Sequence, residues 1–382
     1  MVAISIIGFP STSIAYDSER VKALEQAKTF LYDTHAPACD FVDVVESCFQ
    51  LGKYFYEGNG IGIKQDYQKA EIWFRKAAEK GHIQAQVFLG FMYSEALGVA
   101  KDDHKAIYWY EKAAKKYHLT AQYNVALLHE QNANKSQGYH KAIFWYQKAA
   151  KQGYVKSQLA LAVRYTEGKI VEKNYKKALF WYIKAAESGN LVAQNNIGNF
   201  YQDGKGVKRD YKKAFSWYKK AADKGSLTAQ FNIGALFEYG QGVKRDFKTA
   251  FLWYDKAASQ GYANAQNNLG SLYSRGEGIH KSIDKAVYWF QKSADQGNPV
   301  GQFNLGAFYY EGNTVHKDHA LAYKFFEKSA QQGYHRAQYS LGFMYENGIS
   351  VEKDIKKALF WYEKAKSQDY EPAIRGLSRI KF

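Results

Sequence analysis

The chain reads as all-α, an αα-hairpin superhelical solenoid of about nine 36-residue repeats. Three observations lead there. All eight tryptophans, Trp73, Trp109, Trp145, Trp181, Trp217, Trp253, Trp289 and Trp361, fall on one series with a step of 36 residues, and the missing term is Phe325. Each repeat holds two stretches with the apolar periodicity of a helix. Glycines and helix-capping residues recur at fixed places between and after those stretches. A unit of this kind buries its apolar face only against stacked neighbours, so an array offers a long surface in place of a built-in reaction centre.

The N-terminal segment covers residues 1–45. Met1 to Pro10, MVAISIIGFP, is a short apolar run with no basic residue ahead of it, unlike a secretory signal with a positive start. Ser18 to Tyr32 reads as one capping helix, with Val21, Leu24, Ala27 and Leu31 on a common face. Nine repeats then fill 46–370. The first carries two extra residues in its turn, Gly58 to Gly62, and the third has lost its turn glycines between Glu130 and Gly138, so an irregularity is expected there. Residues 371–382 match the first helix of a further unit, with Ala373 and Leu377 on register, and read as a C-terminal capping helix.

The fifth repeat shows how a unit is built. Ala193, Ile197, Phe200 and Tyr201 share one face of its first helix; Tyr211, Ala214, Phe215, Trp217, Tyr218, Ala221 and Ala222 cover a broad arc of its second. Asp210 precedes the second helix as an N-cap, and the same slot holds Asp66, Asp102, Asn174, Asp246, Ser282, Asp318 and Asp354, with Gly138 in the third repeat. Gly225 closes the second helix as a left-handed residue would; Tyr117 and Asp369 depart from that column of glycines. Gly204 and Gly206 fill the turn between the helices. Small residues recur in the first helices, Gly90, Ala126, Ala162, Gly198, Gly234, Gly270, Gly306 and Gly342 among them. A mid-helix glycine costs ~1 kcal/mol against alanine, which argues for close helix approach, with the Trp ring as the expected neighbour. Burying one Trp removes roughly 150–250 Å² from water, about 4–6 kcal/mol as an upper bound, so the Trp series and Phe325 are read as structural.

The recurring pattern Ala–Gln–x–x–Leu/Ile–Gly–x–x–Tyr, then Gly–x–Gly–Val–x–x–Asp–x–x–Lys–Ala–x–x–Trp–Tyr–x–Lys–Ala–Ala–x–x–Gly, resembles the Sel1-like repeat family, whose units are tetratricopeptide-like αα hairpins. The resemblance runs from about Glu46 to Tyr370. It implies a non-enzymatic scaffold or adaptor in complex assembly or signalling. The family includes chitin-synthase activators, a subunit of a degradation complex and bacterial proteins that act on host cells.

No catalytic or cofactor constellation accompanies the repeats. Histidines such as His104 and His140 stand where other units have Lys, no zinc spacing appears, and the Gly58–Gly62 run lacks the ending of a phosphate loop. No catalytic, metal or cofactor-binding residue is expected. The binding surface is sought instead on the first helices, expected to line the concave face. There Asn124, Asn196, Asn232, Asn268 and Asn304 form a column, preceded by Tyr123, Phe231 and Phe303, with Tyr339 in the ninth unit. Carboxamides at one-repeat spacing could hydrogen-bond an extended partner segment, and the aromatics, read as pointing outward, could anchor its side chains; the same Asn could instead satisfy groups between stacked helices. The Gln column from Gln86 to Gln338 is read as structural.

The net charge of +16 suits an acidic protein partner. Two alternatives stand beside the protein-binding scaffold. One is electrostatic binding of nucleic acid or an anionic surface through the basic outer face, where Lys208-Arg209, Lys244-Arg245 and the Lys76 to Lys364 column cluster. The other, from the resemblance alone, is a regulatory subunit of a synthase or degradation complex. No stretch approaches the ~20 apolar residues of a membrane span. Cys39 and Cys48 give no disulfide framework, which is consistent with a reducing compartment. A cytoplasmic location is expected, with secretion as the alternative if the apolar N-terminus acts as an atypical signal.

Overall fold

The computed structural model describes residues 42–58, 64–132, 136–312 and 316–380. These hold nineteen α-helices and, among the described residues, no strand. The expected helix at 18–32 lies outside them. The chain divides into two compact units at Asn190 and Leu191. Within each, a first helix such as Ile83–Glu95 packs on the second helix that follows it, Asp103–Lys115, and this packs on the next first helix, Leu119–Gln131.

Local chemistry sets the helix limits. Asp210 accepts from the Lys213 amide at 3.0 Å, and Asp66, Asp102, Asn174, Asp246, Ser282, Asp318 and Asp354 cap their helices in the same way. Gly138 does not act as a cap: it lies inside a longer second helix, Ser136–Lys151, because the third repeat lacks the turn glycines that would hold the chain back from helix until that point. At Gly242, in a turn with φ +72°, an added Cβ would fall 2.6 Å from the Tyr211 carbonyl carbon, so the turn of one repeat rests on the second helix of the repeat before. After the second helices, Tyr117 and Asp369 adopt φ of +64° and +58° where the other repeats place glycine.

The core differs from the expectation in one respect. The ring seated on the small-residue column is not the Trp but the residue after it. Phe74, Tyr110, Tyr146, Tyr182, Tyr218, Tyr254, Phe290, Phe326 and Tyr362 are each at most 4% exposed. A Cβ built at Gly234 would fall 2.7 Å from the Tyr254 ring. Trp109 and Trp181 are buried, whereas Trp73, Trp145, Trp217, Trp253, Trp289, Phe325 and Trp361 are half-buried. Trp253 packs instead on a cluster that joins Tyr218 of the preceding repeat to Ile233 of its own, with Lys219 of the preceding repeat 5.9 Å and Lys256 5.4 Å from its ring. The geometry of a helix explains the division: adjacent residues point about 100° apart, so one ring enters the hairpin and the next reaches sideways to the neighbouring repeat.

Buried polar groups tie the repeats together. Gln122 donates to the Ala114 carbonyl at 3.0 Å and accepts from Gln152 at 2.9 Å, so one side chain links its own helix to the ends of the second helices before and after it. Gln230, Gln266, Gln302 and Gln338 repeat both bonds. The buried tyrosines reach acceptors on the first helices: Tyr146 donates to Glu130, Tyr254 to Glu238 and Tyr362 to Glu346. Arg164, Arg275 and Arg379 then pair with these three carboxylates from the next first helix. Burial pushes the Tyr254 phenol up, and Glu238 adds to the rise, so it stays a donor.

The reading of the cysteines is also corrected. Cys48 is disulfide-bonded, and Cys39 lies outside the described residues. Such bonds persist in oxidising compartments, so the cysteine count no longer argues for a reducing one.

The helix Glu371–Ile380 buries Ala373, Gly376 and Leu377 and is held by Arg379 on Glu346 at 2.6 Å. The Arg379 hydrogen bond holds the Glu346 carboxyl below the usual carboxylate range against the push of burial, and Tyr362 adds to the lowering.

Three outcomes follow from this packing. Tyr254→Ala is expected to destabilise the second unit by about 3–5 kcal/mol and Trp253→Ala by clearly less, which denaturant titration of the two variants would measure. Tyr117→Gly removes a left-handed side-chain penalty and is expected to stabilise by about 1 kcal/mol, read as a raised unfolding midpoint. Because the Glu346 pKa is depressed, its contribution is complete above the unfolded value of about 4.3 and is lost as pH falls through the lower folded value. Hydrogen-exchange protection of 371–380 is therefore expected to drop in acid, and Arg379→Gln to lose protection already at neutral pH.

Candidate functional site

The first-helix face is where the column of carboxamides was expected. Asn196, Asn232, Asn268 and Asn304 all belong to the second unit and are half-buried; Asn124, in the first, is 1% exposed and closed to a partner. The column is partly spent on the stack itself. Asn232 donates to Asn195 at 2.9 Å and Asn304 to Asn267 at 2.8 Å. Asn268 accepts from its neighbour Asn267 at 3.2 Å. The residue before the column alternates, Asn195, Phe231, Asn267 and Phe303, so these carboxamide bridges form at every second junction.

The aromatics do not point outward as the sequence suggested. Each leans on the buried ring of its own repeat and meets, edge-on, the tyrosine that opens the next first helix. Tyr123 lies 5.7 Å from Tyr146 and 5.8 Å from Tyr154; Phe231 lies 5.5 Å from Tyr254 and 5.6 Å from Tyr262. Phe303 sits between Phe326 and Tyr334, and Tyr339 between Tyr362 and Tyr370. Phe303 is buried, with the Arg336 guanidinium 4.8 Å from its ring; Tyr123, Phe231 and Tyr339 stay half-buried. The physical reason is that a ring one step from the Gln column still lies within reach of the hairpin core.

One of these aromatics borders an opening. Tyr310, Phe326, Tyr339, Ser340 and Phe343 line an open, mostly apolar cavity of about 280 Å³. It forms where the Asn column ends: Ser340 stands in the place of Asn304 one repeat later, and the buried Phe326 ring lies at the cavity's wall. Tyr310 is braced from behind by His319, with ring centres 4.9 Å apart. The sequence signal for this site was the change from Asn to Ser at position 340, visible only once the column is aligned. A second cavity, of about 420 Å³, lies at the turn of the fifth repeat and is lined by Tyr201, Val207, Lys208, Arg209, Asp210 and Lys213.

The second helices carry a surface that the sequence analysis missed. The residue before each Trp faces solvent: Ile72, Tyr108, Phe144, Phe180, Leu252, Tyr288 and Phe360 are 44–59% exposed. The signal was present in the same column, where Ser216 and Lys324 show that no apolar residue is required. Among the described residues no group of His, Cys, Asp and Glu is arranged to hold a metal, and no helix is long and apolar enough to cross a membrane.

Comparison with known proteins accounts for the architecture. A family model described as Sel1 repeat matches nine consecutive segments, 45–82, 83–118, 119–154, 155–190, 191–226, 227–262, 263–298, 299–334 and 335–370. Among solved structures, a protective antigen of uropathogenic Escherichia coli displaying an SLR fold is similar at 29% identity and TM-score 0.64, over 92% of this chain and 80% of the antigen. A Sel1 repeat protein from Oxalobacter formigenes is similar at 28% identity and TM-score 0.58, over 99% of this chain and 98% of that protein. No curated protein matches. Proteins built from these repeats generally mediate protein–protein interaction and are generally non-enzymatic. With nine matched segments covering 45–370 and helical hairpins throughout, the chain belongs to the Sel1 repeat family.

Proposed function

We infer that the chain is a non-enzymatic adaptor that binds a partner polypeptide along the first-helix face of its second unit. The cavity lined by Tyr310, Phe326, Tyr339, Ser340 and Phe343 is the observation that supports this reading. Its volume of about 280 Å³ is enough for one bulky apolar side chain. Asn196, Asn232, Asn268 and Asn304 lead up to it at one-repeat steps and supply polar groups for a segment laid across the helices. An apolar anchor in a pocket beside a row of hydrogen-bonding groups is the usual division between affinity and register in peptide recognition. Tyr339 thus serves as a wall of the anchor pocket, while Tyr123, Phe231 and Phe303 support the stack from within.

Filling the pocket tests the reading. A peptide library panned against the full chain is expected to yield ligands with a bulky apolar residue. Ser340→Trp should weaken them at least about tenfold, and Asn196→Ala with Asn268→Ala should weaken them less, both without lowering the unfolding midpoint. Ligands that bind Ser340→Trp as they bind the parent chain would place the site elsewhere.

A further inference from the structure

The second-helix face of the first unit presents an uninterrupted column of exposed apolar side chains with a lysine beside each. Ile72, Tyr108, Phe144 and Phe180 are 44–52% exposed and lie one residue before the Trp of four successive repeats. Lys76, Lys112, Lys148 and Lys184 follow four residues later, on the same side of each helix. The Lys112 ammonium is 4.6 Å from the Tyr108 ring and the Lys148 ammonium 5.4 Å from the Phe144 ring. Each exposed aromatic stands edge-on to its half-buried or buried Trp, at 4.9 Å for Tyr108 and Phe180 and 5.1 Å for Phe144. The Trp column thus holds the outer rings upright, and stacking, which needs only the Trp, does not explain why the outer residue is apolar.

The charge of this face is one-sided. The helices Tyr67–Glu79, Asp103–Lys115, Ser136–Lys151 and Tyr175–Glu187 together carry twelve Lys and Arg against five Asp and Glu. Of the five, Glu71 is buried with Tyr93 and Glu111 faces His129 at 3.2 Å. A second copy of this chain would bring like charge to like. Bases would have to displace the ammonium groups that cover the ring faces, the same groups needed for the phosphates. An anionic bilayer would press on Glu79 and Glu187 at the ends of the outer helices. A partner with its own apolar residues and carboxylates beside them matches both the exposed apolar column and the excess of lysines.

We propose that this face docks an acidic amphipathic helix of a partner protein, laid across the second helices of the first unit. An apolar stripe along that helix meets Ile72, Tyr108, Phe144 and Phe180 in turn. The carboxylates beside it meet Lys76, Lys112 and Lys148, while Lys184 already pairs with Glu187 at 2.9 Å. This surface lies on other helices, and in the other unit, from the first-helix pocket.

The test uses the full chain and a labelled peptide about four heptads long, with Leu once per heptad and Glu flanking it, read by fluorescence anisotropy. The peptide is expected to bind. Tyr108→Ser, Phe144→Ser and Phe180→Ser together, a residue this column already accepts at Ser216, should weaken binding at least about tenfold. Lys112→Glu with Lys148→Glu should do the same, and Ser340→Trp should leave binding unchanged. The proposal is overturned if the peptide does not bind, if a scrambled peptide of equal charge binds as well, or if the serine variant binds like the parent. It is also overturned if oligothymidine or phosphatidylserine vesicles bind more tightly than the peptide, or if Ser340→Trp abolishes peptide binding.

Discussion

Each hairpin is closed by a single contact, a fully buried second-helix ring set against the small-residue column of the first helix. Tyr254 on Gly234 is representative: the two helices approach so closely that there is no room for a further methyl group. Close approach fixes where everything else points. The residue before the buried ring by one step, Trp253, packs on the cluster shared by its own first helix and the second helix of the preceding repeat. The residue before that, Leu252, faces solvent. One seating decision per repeat therefore assigns three consecutive side chains to three roles: closing the hairpin, joining the repeats and presenting a surface.

Polar groups buried at the joints make the stacking specific. Apolar packing alone would tolerate sliding of one hairpin against the next. A Gln that bonds a carbonyl behind it and another Gln ahead of it does not, because sliding would strand buried donors and acceptors at about 1–3 kcal/mol each. The tyrosine hydroxyls work in the same direction: the ring lies in the apolar seam while the oxygen reaches Glu130, Glu238 or Glu346, each also gripped by an arginine from the next first helix.

The two units put this regular frame to different uses. In the second, the Asn column and the opening at Ser340 lie on the first helices, and apolar exposure on the second helices is interrupted by Ser216 and Lys324. In the first, Asn124 is closed over while the second helices expose an unbroken apolar column beside lysines. A repeat protein diversifies in this way because columns outside the seam carry no packing obligation and can change one repeat at a time.

The sequence alone determined the period, the helix pairs, the left-handed turns and every second-helix N-cap except that of the third repeat, where Gly138 lies inside the helix, since each depends on backbone chemistry within a few residues. It also showed the structural Gln column, because a buried polar residue repeated in eight of nine units implies a fixed partner. It did not determine which of two adjacent aromatics closes the hairpin: Trp217 and Tyr218 both lie on the apolar arc, and only the packed structure shows that the Tyr enters and the Trp turns aside. For the same reason Tyr123, Phe231 and Phe303 read as pointing outward and lean instead on core rings, and the exposed apolar residue before most of the Trp column went unread. A helical wheel resolves direction to within one residue, about 100°; burial on either side of that residue is decided by where the neighbouring helix lies, which is a property of the tertiary structure.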